Sequence, residues 1–208
     1  MSVYQTEEEQ VEAIKRWWKE NGASVIGGLV IGLGGVFGWQ AWGSYQNRVG
    51  AEAALAFNQM VVAVERRDSA SAVKQAELMR ENFDGSSYAV FAALAEARLK
   101  LDEGDRAAAK SRLEGANQQA DHPALKQLVQ LNLARILLDE GELDAAGELA
   151  GSGEGGFAGE FAVLRGDIAL AKGDKASAVA AYTQAMTLEV GNRSLLQMKL
   201  DDLAIAAP

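Results

Sequence analysis

The residues able to carry chemistry in this chain are few, and their spacing is unhelpful to catalysis. There is one histidine, His122 in ADHPAL, and no cysteine. Strong transition-metal sites combine His and Cys with carboxylates, so a lone His before Pro reads as a turn residue, not as a ligand or base. The stretch GSGEGG, residues 151–156, fits the pattern GxGxxG. That pattern cradles a dinucleotide only between a strand and a helix, and here both flanks read as helix. It is expected to be a flexible inter-repeat loop that interrupts the helical stack and opens a groove between the second and third repeats. From residue 49 onward, 24 acids face 16 bases. They are scattered over helix ends and turns, and no pair stands out as acid and base. No nucleophile elbow, phosphate loop or metal-ligand helix occurs. The expectation is a non-enzymatic protein with no catalytic residue, no cofactor and no metal. A net charge of -9 also argues against nucleic acid, which selects basic surfaces.

What remains informative is the arrangement of elements. Residues 21–47 carry no charge, and the chain's four tryptophans, Trp17, Trp18, Trp39 and Trp42, bracket most of that run. A bilayer core of about 30 Å needs roughly 20 apolar residues. From Trp18 to Trp39 a helix rises about 31 Å. Tryptophan favours the membrane–water boundary, so the two pairs mark two interfaces. A cleaved signal would have a shorter apolar core ending in small residues, where this chain has Phe37, Trp39 and Trp42. Six glycines between residues 27 and 38 would cost a soluble helix about 1 kcal/mol each, whereas lipid leaves the backbone nowhere else to turn. The reading is a retained transmembrane helix over residues 23–45, in contact with membrane lipid.

Lys15, Arg16 and Lys19 precede this segment, and only Arg48 follows closely. Positive flanks stay inside, which places residues 1–22 in the cytoplasm and residues 46–208 outside. Ser24, Gly28 and Gly32 are spaced by four, as are Gly34 and Gly38. Such spacing permits a close helix–helix contact in lipid, including a homodimer. The tail TEEEQVEAIKRWWKENG reads as an amphipathic lead-in. Thr6 and Glu9 are placed as a capping box, and Val11, Ile14 and Trp18 share one face.

The outer region repeats. ALAEARLKLDEGDRAAAKSRLEGA, QLNLARILLDEGELDAAGELAGSG and VLRGDIALAKGDKASAVAAYTQAM align on Gly104, Gly141 and Gly173. Each glycine follows an apolar helical run, where a helix ends in a left-handed residue. The acid after it (Asp105, Glu142, Asp174) is placed to start the next helix. Residues 51–66 and 69–82 read as a more degenerate pair with RRDSAS as the turn. Residues 192–206 read as a capping helix begun by Asn192 or Ser194. The fold class is therefore all-α: one transmembrane helix, then an α-solenoid of about nine helices.

These copies resemble the tetratricopeptide repeat. The third is the closest, with Gly166, Ala169, Ala178, Tyr182 and Ala185 at the motif's small and aromatic positions. The first keeps Ala97, Ala109, Leu113 and Ala116. The second keeps Leu133, Ala134 and Ala146. None has the motif's Trp. Taken whole, EEEQVEAIKRWWKENG, the Gly-rich anchor and the degenerate repeats are similar to the ancillary SecYEG translocon subunit family. That resemblance implies an inner-membrane protein with a periplasmic repeat domain. It implies as partners the SecYEG translocon, a membrane-anchored parvulin-like periplasmic chaperone, and unfolded secreted clients. It implies no catalytic residue. From the residues alone, two other roles stay open: an envelope scaffold unrelated to export, and a regulator whose tail binds a cytoplasmic signalling protein. The concave side, made by the first helix of each pair, and the loop around Gly155 are the surfaces expected to bind.

Overall fold

The computed structural model describes residues 7–205, so the Thr6 cap lies outside the described residues. Nine α-helices follow in order: α1 (Glu7–Glu65), α2 (Ser69–Asn82), α3 (Ser87–Asp102), α4 (Arg106–Gln119), α5 (Pro123–Asp139), α6 (Leu143–Ala150), α7 (Ala158–Ala171), α8 (Lys175–Met186) and α9 (Arg193–Ile205), with a 3-10 turn at Gly155–Phe157. No strand occurs among the described residues. The chain divides between Ala51 and Glu52 into two compact units.

The element α1 is longer than its parts suggest. The acidic lead-in, the apolar segment and the first helix of the first repeat form one helix of 59 residues. The chain's two prolines are Pro123 and Pro208, so no residue in α1 lacks the backbone donor a helix needs. In the N-terminal unit this helix exposes its apolar side chains, from Val25 through Phe37 to Trp42.

In the C-terminal unit the turns carry the regularity. Gly104, Gly141 and Gly173 have φ of 83, 78 and 81°, a left-handed backbone that glycine adopts without a Cβ penalty. At the first turn the Gly104 N–H donates to Leu101 O at 3.0 Å and the Asp105 N–H to Lys100 O at 2.8 Å. The same two bonds recur after α5 and α7. This is the Schellman closure, which satisfies carbonyls the helix end leaves open. The end of α1 uses it too, with Arg67 at φ 58° in the glycine position. The following acid then caps the next helix. Asp68, Asp105 and Asp174 accept from the backbone N–H of Ser71, Ala108 and Ser177, each at 3.0 Å. Glu142 makes no such cap; its longer side chain reaches Lys110 at 2.6 Å instead.

Small residues set how closely the helices cross. Ala109, Ala134, Ala146, Ala162, Ala178 and Ala185 are fully buried. A Cβ built on Gly166 would collide with the Tyr182 ring. Met60, Ala72, Met79 and Ala92 join α1, α2 and α3 in one core. Leu113, Val129, Leu133, Phe161 and Leu164 form a second, running from α4 through α5 to α7. Tyr182 and Leu196 close a third over α7, α8 and α9. Asn192 starts the last helix by accepting from the Leu195 N–H at 3.0 Å.

The second and third repeats share a core, and the hollow that does lie between α5 and α7 is lined by no residue of the GSGEGG segment. Phe161 and Leu164 of α7 share a core with Val129 and Leu133 of α5. The GSGEGG segment is fastened over that contact. Glu154 N–H donates to Gln127 Oε1 at 3.2 Å, and Ser152 Oγ donates to Leu149 O at 2.7 Å and reaches Gln130 Oε1 at 3.2 Å. Gly153 lies against the Phe161 ring, where a Cβ would clash. The glycines let the chain cross that ring closely. The segment seals the shortened second repeat, whose α6 spans 8 residues.

Candidate partner-binding groove

The first helices α3, α5, α7 and α9 present successive side chains at helical spacing to one face of the C-terminal unit. Two hollows adjoin there. One, of about 220 Å³, lies between α3 and α5 against Leu94, Arg98, Leu101, Asn132 and Asp139. The other, of about 270 Å³, lies between α5, α7 and α9 against Glu160, Val163, Asp167, Leu195 and Lys199. Arg135 of α5 lines both.

The charges of this face come as one pair per step. Arg98 Nε meets Asp102 at 3.0 Å, and Arg135 Nη2 meets Glu160 Oε2 at 2.9 Å. Lys199 meets Asp167. Glu160 also holds the turn before α9, accepting from the Gly191 N–H at 2.8 Å. Asp167 accepts from the Tyr182 hydroxyl at 2.5 Å. Burial, with this bond and the Asp167 charge, holds the Tyr182 hydroxyl far above the usual tyrosine range. Leu101 and Leu195 line the two hollows and are partly exposed. A face of apolar side chains between neutralised pairs can bury a polypeptide without leaving charges unpaired, since exposed pairs exchange partners at a cost of about 1 kcal/mol or less.

Ion pairs between turns hold successive repeats in register. Lys110 of α4 reaches Glu142 and, at 3.2 Å, Glu140. The Glu142 hydrogen bond holds the Lys110 ammonium above its ordinary pKa, against the opposing effect of burial. Lys172 pairs with Asp144 at 2.6 Å and pulls that carboxyl below its ordinary value.

The anticipated residues lie as follows. Gly104, Gly141 and Gly173 occupy the repeat turns. Trp17 and Trp18 sit with ring centroids 6.5 Å apart, and Trp42 lies 6.1 Å from Tyr45. Trp39 is 82% exposed. Around Gly28, Gly32, Gly34 and Gly38 nothing lies within 4 Å of a built Cβ, and Ser24 is exposed. One helix among the described residues, α1, is long and apolar enough to cross a membrane. His122 is exposed and stands at the start of α5 without a side-chain cap. Among the described residues no three His, Asp or Glu gather as metal ligands. The sequence points to the first helices as a candidate face but names none of its side chains. The signal was present in Asn132, Arg135 and Asp139, spaced three and four apart on α5, and was hidden by similar polar spacing on every outer helix face.

Helix pairs closed by left-handed glycines, crossing at alanine and stacking into one continuous series, define a tetratricopeptide-type repeat protein carrying an apolar N-terminal helix. The tetratricopeptide repeat-like domain family matches residues 15–205. Three relatives are similar over nearly their whole length. An ancillary SecYEG translocon subunit of Haemophilus influenzae is 33% identical over 97% of this chain and 100% of its own. That of Escherichia coli K12 is 31% identical over 99% and 100%, and that of Aggregatibacter actinomycetemcomitans 34% over 95% and 97%. The chain belongs to the ancillary SecYEG translocon subunit family.

Proposed function

We propose that this protein is a non-catalytic subunit associated with the SecYEG translocon. In this reading residues 23–45 anchor it in the inner membrane, residues 1–22 stay in the cytoplasm, and residues 46–208 stand in the periplasm. There the groove around Arg135 takes a segment of a chaperone or of an emerging secreted polypeptide and aids its transfer. The observation that carries the proposal is the near-full-length similarity to three relatives that all bear the translocon subunit name. The groove supports the second half. Helical-repeat surfaces bind extended or helical segments, and Arg135 is placed to contact a ligand in either hollow.

Two measurements test it. Photoreactive residues at positions 98, 132 and 135 of the full chain, in intact membranes, should trap a translocon subunit, a chaperone or a nascent secreted chain. Recovering none of them from all three positions overturns the groove reading, and failure of the channel to co-purify in gentle detergent overturns the translocon reading. Orientation is tested separately. The chain has no cysteine, so single cysteines at Gln10 and Asp121 report cleanly. A membrane-impermeant maleimide should label the second in spheroplasts and spare the first until lysis. The opposite pattern would invert the proposed topology.

A further inference from the structure

On the second-helix side of the first two repeats a separate cleft opens between α2, α3 and α4. It encloses about 70 Å³ and is lined in part by Ala93, Ser111, Gly115, Ala116 and Gln119. Glu96 of α3 lines it at 2% exposure and is the one buried charged residue among those described. Arg112 of α4 brings Nε to 2.8 Å from Glu96 Oε1, and Arg80 of α2 brings Nη1 to 3.6 Å from Oε2.

The geometry is that of an unfilled site. Arg–carboxylate pairs that serve as structural clamps are frequently bidentate. Here Arg80 is beyond hydrogen-bonding distance. Arg112 is near but poorly aimed, and Glu96 Oε1 is left buried without a hydrogen bond. A guanidinium carries five donors in a fixed fork. Both arginines converge on the cleft with most of theirs unused, and their side chains are 41% and 35% exposed, within reach from outside. One arginine would neutralise Glu96. The second leaves the cleft at +1 in a chain of net charge -9.

We propose that this cleft binds a carboxylate of a partner polypeptide, either an Asp or Glu side chain or a free C-terminus. Arg80 and Arg112 form the fork, and Glu96 holds them convergent while the site is empty. The charge selects the ligand: a monoanion brings the cleft to zero, whereas a phosphate monoester of about -1.5 to -2 overshoots. The volume admits a single head group, so the rest of the ligand lies across the mouth, as an acidic peptide can. The chain's overall negative charge does not forbid this, because charges beyond about 8 Å are screened at physiological ionic strength. The site is distinct from the Arg135 groove, and either can fail without the other.

The test is calorimetric titration of the full chain in detergent with blocked pentapeptides: one with a central glutamate, one with a free C-terminal carboxylate, and one with a central glutamine and no carboxylate. At least one carboxylate peptide should bind about tenfold more tightly than the glutamine peptide. Arg80→Gln and Arg112→Gln should each weaken it about fivefold or more. Glu96→Gln removes the internal competitor and should tighten it, provided circular dichroism shows it folded. Should Glu96→Gln unfold, the two arginine variants decide, since both side chains are partly exposed. No preference for a carboxylate, or affinity unchanged in both arginine variants, overturns the proposal. Tighter binding of inorganic phosphate, or of phosphatidylglycerol vesicles, than of either peptide overturns it as well.

Discussion

Gly166 of α7 and Tyr182 of α8 are packed so closely that a Cβ on the glycine would enter the tyrosine ring. The ring is fully buried and its hydroxyl is tied to Asp167, so it has no room to yield. Gly166→Ala should therefore destabilise the repeat domain despite the better helix propensity of alanine. Overpacking of this kind costs about 1–3 kcal/mol. The midpoint of urea unfolding should fall with an unchanged slope.

The same tyrosine predicts an alkaline limb. Its folded-state pKa is raised above the unfolded value, first by burial and then by Asp167. Between the two values the folded state holds more protons than the unfolded, so stability is fully present below about pH 10 and is lost as pH rises through the folded value. Unfolding midpoints measured from pH 8 to 11 should fall more steeply in the parent than in Tyr182→Phe. Equal slopes would show that Tyr182 is not the group responsible.

Both residues, though not their contact, were legible in the sequence because repetition exposed them. Gly166 and Tyr182 stood at matched positions in the copy closest to the repeat pattern, as Gly104, Gly141 and Gly173 did at the turns. Glycine and alanine report backbone geometry, which a repeat holds constant. Arg135, Glu160, Arg80 and Glu96 were not legible. Their meeting depends on which face of each helix turns toward its neighbour, and a charged residue at an inward position looks like one at an outward position. The continuous α1 was also missed. A lead-in, an anchor and a repeat helix were read as separate elements because their compositions differ, although no proline between residues 7 and 65 interrupts the helix.

Arg67 is the exception among the turns. It holds the left-handed backbone, φ 58°, that glycine holds at the other three repeats. A non-glycine residue there carries a cost of roughly 1 kcal/mol. Its closing bonds, Arg67 N–H to Val64 O and Asp68 N–H to Ala63 O, both at 2.9 Å, belong to the backbone. Arg67→Gly should keep them and raise stability by about 0.5–1 kcal/mol, a small increase in melting temperature. A decrease would mean that the Arg67 side chain contributes something its position does not reveal.

The GSGEGG segment should behave as a fastened strap. Gly153→Ala places a Cβ in the Phe161 ring and should lower stability and raise protease cleavage within residues 151–156. Replacing Gln127 and Gln130 together by alanine removes the side chains that hold Glu154 and Ser152. Cleavage there should rise while the melting temperature stays nearly unchanged, because both contacts are exposed. A parent already cleaved rapidly at this segment would show that the strap is not fastened in solution.

At acid pH the capping aspartates should set part of the response. Asp68 and Asp174 are held below the ordinary aspartate value, chiefly by hydrogen bonds from Ser71 and Ser177. A carboxyl whose folded-state pKa is depressed contributes stability that is present above its unfolded value, near 3.9, and is lost as pH falls through the folded one. Asparagine still caps a helix but does not titrate in this range. The double variant Asp68→Asn, Asp174→Asn should thus be close to the parent at pH 7 and lose less stability between pH 5 and pH 2. Melting curves at both ends of that interval decide it. A double variant that falls as steeply as the parent would move the acid response to the inter-repeat pairs, beginning with Asp144 and Lys172.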